Sequence, residues 1–188
     1  PSPSDWSAPG NFNPVANLDE KQETADGLAV RASSVQQVGV VSTAVSGTVP
    51  RLTGSGSGAG VGNVNVVGGA TRAEINEATI NPGGAGTPGT GQDVTVGASS
   101  HVYNVGYVFA ASGGGWGALA GSLDTNVIQR TTHAGLHGAD VTAADAVDIK
   151  ARSTQAAASF AAGASAAGAA VTGSVSLAVI RGTTEAVV

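Results

Sequence analysis

Two histidines, His133 and His137, have the residue type and spacing of a metal-binding pair. They lie four positions apart in the segment HAGLHGAD, whose last residue is Asp140. On an α-helix this spacing would place both imidazoles on one face, where they could share an ion. Gly135 and Gly138 disfavour a helix, and on a strand residues four apart lie about 13 Å from one another. We therefore predict solvated loop histidines and no metal site.

Three acidic side chains offer the oxygen ligands that Ca²⁺ prefers, namely Asp140, Asp145 and Asp148. The sequence around them has neither EF-hand spacing nor the Gly-Gly-x-Gly-x-Asp nonapeptide of calcium-binding β-rolls. We interpret them as a solvated acidic rim, and we predict no cofactor for the chain.

Two other motifs resemble ligand-binding patterns only in part. The glycines of Gly54–Gly60 suggest a phosphate loop, but no Lys-Ser/Thr pair follows, so we predict a flexible corner or turn. The pairs Thr131-Thr132 and Thr183-Thr184 suggest a threonine ladder for binding ice, which would require threonine on every coil. Thr71 stands beside Ala70 instead, so we do not predict an ice-binding face.

Catalysis and sugar binding would need clustered groups. The chain has 13 acidic and 8 basic residues, spread thinly, whereas glycan-active β-helix enzymes need paired carboxylates or Lys/Arg in a groove. We therefore predict no catalytic residue and no enzyme. Trp116, Tyr103 and Tyr107 could form a sugar-stacking patch. Since Trp116 lies in a Gly-rich stretch, we predict packing roles for these rings.

The composition favours thin layers of strands. Gly accounts for 29 of 188 residues, hydrophobic residues for 41% and aromatic residues for only 4%. The apolar content is mostly Ala and Val, which suit stacked strands. A net charge of −5 disfavours nucleic-acid binding. Cysteine is absent, and no apolar run is long enough to predict a membrane span.

The chain repeats itself. The segment GSVSLAVIRGTTEA at 173–186 matches GSLDTNVIQRTTHA at 121–134, 52 residues earlier, and GVGNVNVVGGATRA at 60–73 lies 61 residues before that. The longer interval contains the loop-like stretch 81–89, and without those nine residues the period is again 52. A second block of alternating apolar and polar residues recurs at 28–34, 94–100 and 147–153, which predicts half-buried strands.

The repeat also decides how an Ala-rich segment is interpreted. Ala156–Val171 has helical propensity. Its counterpart in the preceding repeat, VYNVGYVFAASGGGWG, is rich in Val, Tyr and Phe and reads as a strand. We therefore predict strand and turn for both.

These features predict an all-β fold, a right-handed parallel β-helix with about two coils per 52-residue repeat. A unit of that size must cover its apolar face by stacking on its neighbours. A β-propeller would have to close into a ring, and a β-sandwich should not repeat internally. Gly, and Asn at positions such as Asn63, Asn76 and Asn126, would form the corners between strands.

The predicted organisation is an N-terminal linker or cap at 1–26 followed by a solenoid at 27–188. Its three repeats are 27–80, 90–136 and 140–188, and the loop insertion at 81–89 leaves the stack at one corner. The final residues are strand-like and without a cap, so we expect the natural chain to continue or another copy to stack there.

The segment from Ala170 to Ala186, with its Val-rich strand ending in Arg-Gly-Thr-Thr-Glu-Ala, resembles repeats of large filamentous adhesins related to filamentous haemagglutinin, especially the leukotoxin-type filamentous adhesins. The resemblance covers residues 27–188. It implies a β-helix shaft, export to the bacterial cell surface, and attachment to host or neighbouring cells through other parts of the parent protein. The secretion signature of two-partner exoproteins, with its Asn-Pro-Asn motifs, is absent.

From this we expect a structural shaft module of a secreted adhesin or extracellular filament, with possible end-to-end self-association. A carbohydrate-binding β-helix module is the alternative, and it would require exposed aromatic residues on one face. A glycan-active enzyme would require paired carboxylates on one face.

Overall fold

The computed structural model describes residues 27–48, 55–81, 93–142 and 146–188, and within these ranges the chain forms strands and no helix. The predicted all-β class is therefore confirmed. In chain order the strands are β1 (Leu28–Gly47), β2 (Gly56–Asn76), β3 (Thr79–Ile80), β4 (Val94–Gly113), β5 (Gly117–His137), β6 (Asp140–Val141), β7 (Val147–Ala166) and β8 (Ala169–Val187).

The strands form three parallel sheets, ordered β1-β4-β7, β2-β5-β8 and β3-β6. The register follows the repeated blocks of the sequence. Leu28 pairs with Val94 and Val94 with Val147, while Gly60 pairs with Gly121 and Gly121 with Gly173. The predicted stacking of successive units in parallel is thus confirmed. The prediction of strand and turn for Ala156–Val171 is also confirmed, because β7 and β8 cover this segment on either side of a short bend.

Each repeat forms one layer, so the prediction of two coils per repeat was wrong. Two coils would pair β1 with β2 inside the first repeat, whereas β1 pairs with β4 in the next. The estimate assumed strands of ordinary length, about 5–6 residues. The long strands of this chain have 19 to 21 residues, so two of them use most of a repeat.

The short strands complete the first two layers. β6 pairs with β3 through Thr79–Asp140 and Ile80–Val141. We predicted that the third repeat begins at residue 140. Asp140 and Val141 instead belong to the second layer.

The corners after β2, β3 and β5 use left-handed backbone conformations. Glu77 (φ 49°) and Gly138 (φ 58°) follow the ends of β2 and β5, and Asn81 (φ 51°) follows β3. The predicted corner positions Asn63 and Asn126 were wrong, since both lie within strands. Asn126 is fully buried, and its side chain donates a hydrogen bond to Asp124 in the interior. Its role is therefore to satisfy a buried polar group and not to form a turn.

The two long-stranded sheets enclose an interior that changes character along the strands. At one end an apolar cluster joins Val94, Val96, Ile75 and Leu136, and a second cluster is centred on Ile128. Between and beyond them polar side chains occupy many inward positions, next to apolar ones such as Val108 and Ala110. We did not predict this polar content. The fully buried or nearly buried polar residues are Thr71, Ser100, Asn104, Ser112, Ser122, Asp124, Asn126, Arg130 and Thr132.

Two predictions concern parts of the chain outside the described residues. The cap at 1–26 lies there entirely. The loop at 81–89 lies there except for Asn81, whose side-chain amide donates a hydrogen bond to the carbonyl of Thr142 in the next layer (3.0 Å).

Candidate functional site

The outer face of the β2-β5-β8 sheet divides into two halves. The half nearer the strand starts carries exposed aliphatic side chains from all three layers: Val64, Val66, Leu119, Leu123, Val171, Val175 and Leu177. The half nearer the strand ends carries charged and imidazole side chains, and it contains the one group of metal-type ligands found within the described residues.

His133 and His137 lie on this outer face within β5, not in a loop. Their rings are stacked with centroids 5.5 Å apart and an interplanar angle of 4°. The prediction that strand spacing keeps the two side chains about 13 Å apart was therefore wrong. That distance describes the backbone, and the two imidazole rings are oriented toward each other. Both rings cover Gly135, where an added Cβ would lie 2.7 Å from Nε2 of His137 and 2.9 Å from Cε1 of His133. Glycine at this position is what lets the rings approach.

Glu74 joins the histidines from the neighbouring layer. It lies on β2, paired in register with Gly135, and its Oε1 is 2.9 Å from Nδ1 of His133. Glu74, His133 and His137 each offer one ligand atom, and these atoms lie within 4.8 Å of one another. We call these three residues the histidine cluster. No motif or spacing marks Glu74 as a candidate, because only the β2–β5 register brings it to the histidines.

Two charged residues flank the histidine cluster. Glu185 on β8 pairs in register with His133, and its Oε2 lies 4.0 Å from Nε2 of that ring. Arg72, with 64% of its side chain exposed, lies 3.7 Å from Oε1 of Glu74. The cluster therefore has a carboxylate on each side of His133, drawn from the first and third layers.

The three predicted acidic candidates are not brought together. Asp140 is on β6 and is exposed, and Asp148 is on β7, where it forms an ion pair with Lys150. Asp145 lies outside the described residues.

The glycine and threonine motifs are structural. Gly56–Gly60 is the beginning of β2 and not the predicted flexible turn, because each residue pairs in register with β5 and the ladder overrides the weak strand propensity of glycine. Thr71, Thr132 and Thr184 form an inward column, in which Thr132 is fully buried and hydrogen-bonded to Ser100 (2.7 Å).

The structure does not join the three predicted aromatic residues into one patch. Tyr107 is 52% exposed and packs against Phe160 of the next layer, with ring centroids 6.3 Å apart. Trp116 is 71% exposed in the turn between β4 and β5. Tyr103 lies on the same strand as Tyr107, four residues before it. The exposed aromatic pair is thus Tyr107 and Phe160, the second of which we did not predict.

Two buried charged side chains lie between the sheets, enclosed and hydrogen-bonded to neutral groups. Asp124 accepts hydrogen bonds from Asn63 (2.8 Å), Asn126 (2.9 Å) and Ser159 (2.6 Å). Arg130 donates to Gln36, Ser34 and Thr71 at 2.8–3.1 Å. The hydrogen bonds of Asp124 connect all three layers, and those of Arg130 connect the first layer to the second. Both sets also join the two long-stranded sheets, through Ser159 for Asp124 and through Ser34 and Gln36 for Arg130.

No protein-family profile, curated protein or solved structure matches this chain. Within the described residues, none of the secondary structure is a helix that could span a membrane.

Proposed function

We propose that the chain is a shaft module of a secreted bacterial surface adhesin or extracellular filament, built as a right-handed β-solenoid. Its task would be rigidity and reach, with attachment to host or neighbouring cells carried by other parts of the parent protein. The observation behind this proposal is the unbroken parallel register of the two long-stranded sheets across all three layers.

Physical reasons favour a load-bearing role. Each layer is bonded to the next by two backbone ladders of about 20 residues, and bending the stack would strain many hydrogen bonds together. The interior polar groups add hydrogen bonds between layers, such as Ser122 to Ser174 (3.1 Å) and Ser100 to Ser153 (3.0 Å). These contacts hold layers in register, as a shaft requires.

The dimensions imply that such a shaft contains many layers. A strand of 20 residues is about 66 Å long, whereas one layer adds about 4.8 Å along the stack. A stack as long as it is wide therefore needs about 14 layers. The proposed parent protein is accordingly a long repeat array.

Both ends of the described stack offer edges for further layers. β1 and β2 form one end and β7 and β8 the other, each pair with one ladder side unpaired within the described residues. On β8 the inward residue Ile180 is 49% exposed, whereas Ile128, its register partner in the middle layer, is fully buried. Either a further repeat or a second copy stacked end to end would pair with this edge.

The shaft proposal is tested with tandem proteins that contain two, four and eight added copies of residues 94–188. Each copy contains two repeats. Electron microscopy and small-angle scattering should therefore show a constant cross-section and a length that rises by about 9.6 Å for each added copy, or about 4.8 Å per repeat. Beads joined by flexible segments, or a cross-section that grows with copy number, would overturn the proposal.

A carbohydrate-binding module remains the second candidate because Tyr107 and Phe160 form an exposed ring pair on the outer face of the β1-β4-β7 sheet. Such rings can stack on sugars. Binding on a glycan array that is lost in Tyr107→Ala and kept in Trp116→Ala would support this function. Absence of binding in the unaltered protein, or equal loss in both variants, would reject it.

A further inference from the structure

We propose that the histidine cluster is a binding site for a divalent transition-metal ion of the Zn²⁺ class, and that the ion ties the first layer to the second. The ligands are the carboxylate of Glu74, Nδ1 of His133 and one ring nitrogen of His137. This inference needs only the register of β2 against β5, so it stands independently of the shaft proposal.

The distances suit an ion after a small adjustment. Two ligand atoms of a tetrahedral Zn²⁺ site lie about 3.4 Å apart, given bonds of about 2.1 Å. One ligand atom from each residue already lies within 4.8 Å of the other two, and Nδ1 of His133 is 2.9 Å from Oε1 of Glu74. His137 is exposed at the end of β5, so its ring can rotate from the stacked arrangement to complete the site without disturbing the sheet.

The donor set selects the class of metal. Two imidazole nitrogens and one carboxylate oxygen are ligands typical of zinc, and imidazole also suits Cu²⁺ and Ni²⁺. Ca²⁺ and Mg²⁺ prefer sites built from oxygen alone, and the cluster offers oxygen from Glu74 only. With three protein ligands, a water molecule would take the fourth position.

The surroundings supply the partner that metal-bound histidines usually have. A ligating imidazole commonly donates its second N–H to a carboxylate, which fixes the ring orientation. Glu185, 4.0 Å from Nε2 of His133, is placed for this role on the third layer. Glu185 is thus a positioning residue. Arg72 competes for Glu74, but it is largely exposed and can withdraw into solvent.

An ion at this point would join strands that the backbone ladder already aligns. Glu74 is in the first layer and both histidines are in the second. The ion therefore contacts two layers at the end of β2 and β5, close to the corner formed by Glu77 and Gly138. Binding to the folded state alone should raise the thermal midpoint of unfolding.

The experiment is calorimetric titration of the whole chain, purified without a polyhistidine tag, with ZnCl₂ and separately with CaCl₂. We expect one Zn²⁺ per chain, no comparable heat with Ca²⁺, and a thermal midpoint that rises by several degrees with Zn²⁺ and returns with EDTA. His137→Ala and Glu74→Gln should each weaken binding by at least about tenfold. Glu185→Gln should weaken it less, while keeping the same stoichiometry.

Asp140→Asn is the matched control, because it removes a nearby exposed carboxylate outside the histidine cluster. It should bind Zn²⁺ like the unaltered protein. His137→Ala should keep the unaltered circular dichroism spectrum, since this side chain is exposed, and Glu74→Gln provides a second variant if it does not. No saturable Zn²⁺ binding, unchanged affinity in both variants, or equal weakening by Asp140→Asn would each overturn the proposal.

Discussion

At the scale of single residues, the interior is specified by polar side chains as well as apolar ones. Asp124 has no solvent exposure, and its hydrogen-bond donors come from all three layers: Asn63, Asn126 and Ser159. A buried polar group is tolerated only when it is hydrogen-bonded. The carboxylate therefore serves as a common acceptor that fixes the layers relative to one another.

Asp124→Ala should lower the free energy of unfolding by about 2 kcal/mol or more, because it leaves buried donors without an acceptor. Urea denaturation measures the change. Asp148→Ala removes an exposed acid beside Lys150 and should change the value by less than about 0.5 kcal/mol. Similar losses in both variants would contradict the proposed role of Asp124.

Arg130 shows how one large side chain constrains its neighbours in the stack. In register it lies between Gly69 and Gly182. Gly69 has a φ of 153°, and a Cβ there would lie 2.7 Å from Nη1 of Arg130. Gly69 therefore leaves room for Arg130, whereas the nearest side chain to an added Cβ at Gly182 is that of Gln155.

Gly69→Ala should destabilise the protein by more than about 1 kcal/mol, since both the backbone conformation and the contact with Arg130 disfavour a side chain. Gly68→Ala is the control, because the added Cβ would meet only the carbonyl of Gln129 at 3.8 Å. This control should be neutral or slightly stabilising. Thermal unfolding of the two variants compares them, and a Gly69→Ala protein as stable as Gly68→Ala would refute the account.

At the scale of elements, the repeated blocks predicted the register because parallel stacking places equivalent residues of successive repeats side by side. The alignment of 28–34 with 94–100 and 147–153 is the observed pairing. The number of coils was missed because strand length cannot be read from the blocks, which mark only part of each strand. The histidine cluster was missed because it depends on ring orientation over Gly135 and on Glu74, which lies far away in sequence.

Connections between strands should tolerate shortening, whereas the strands themselves should not. The segment between β3 and β4 can be cut to the length of the corresponding segment between β6 and β7, residues 142–146. The effect on stability should be below about 1 kcal/mol, since loop-closure entropy changes slowly with length. Deleting the single residue Val127 from β5 should instead prevent folding, because it turns every later side chain to the opposite face.

Circular dichroism and urea denaturation of these two deletion variants provide the comparison. A destabilised loop variant would mean that the segment contributes contacts to the fold. A stable Val127 deletion would mean that the register of β5 is not specified by its inward residues.

At the scale of the whole molecule, the described chain is a stack of broad, thin layers. Each repeat adds one layer, so it extends the stack by about half of what two coils per repeat would give. Reach is therefore small per repeat, while contact between adjacent layers is large. Such a module gains stiffness but adds little length per repeat, which is compatible with the proposed shaft.

Cysteine cross-linking tests the central claim, that each repeat is one layer in parallel register. The chain has no native cysteine, so every intramolecular disulfide that is detected must come from the introduced pair. Val64 and Leu177 pair with Thr125 on the outer face from the layers on either side. The double variants Val64→Cys/Thr125→Cys and Thr125→Cys/Leu177→Cys place Cα atoms about 4.8 Å apart, within the range of a disulfide.

Mild oxidation followed by mass spectrometry should show efficient intramolecular disulfides in both double variants. The offset pair Val64→Cys/Val127→Cys, with Cα atoms about 8 Å apart, should remain reduced under the same conditions. Efficient cross-linking of the offset pair, or none for Thr125→Cys/Leu177→Cys, would contradict the one-layer repeat and the fold built on it.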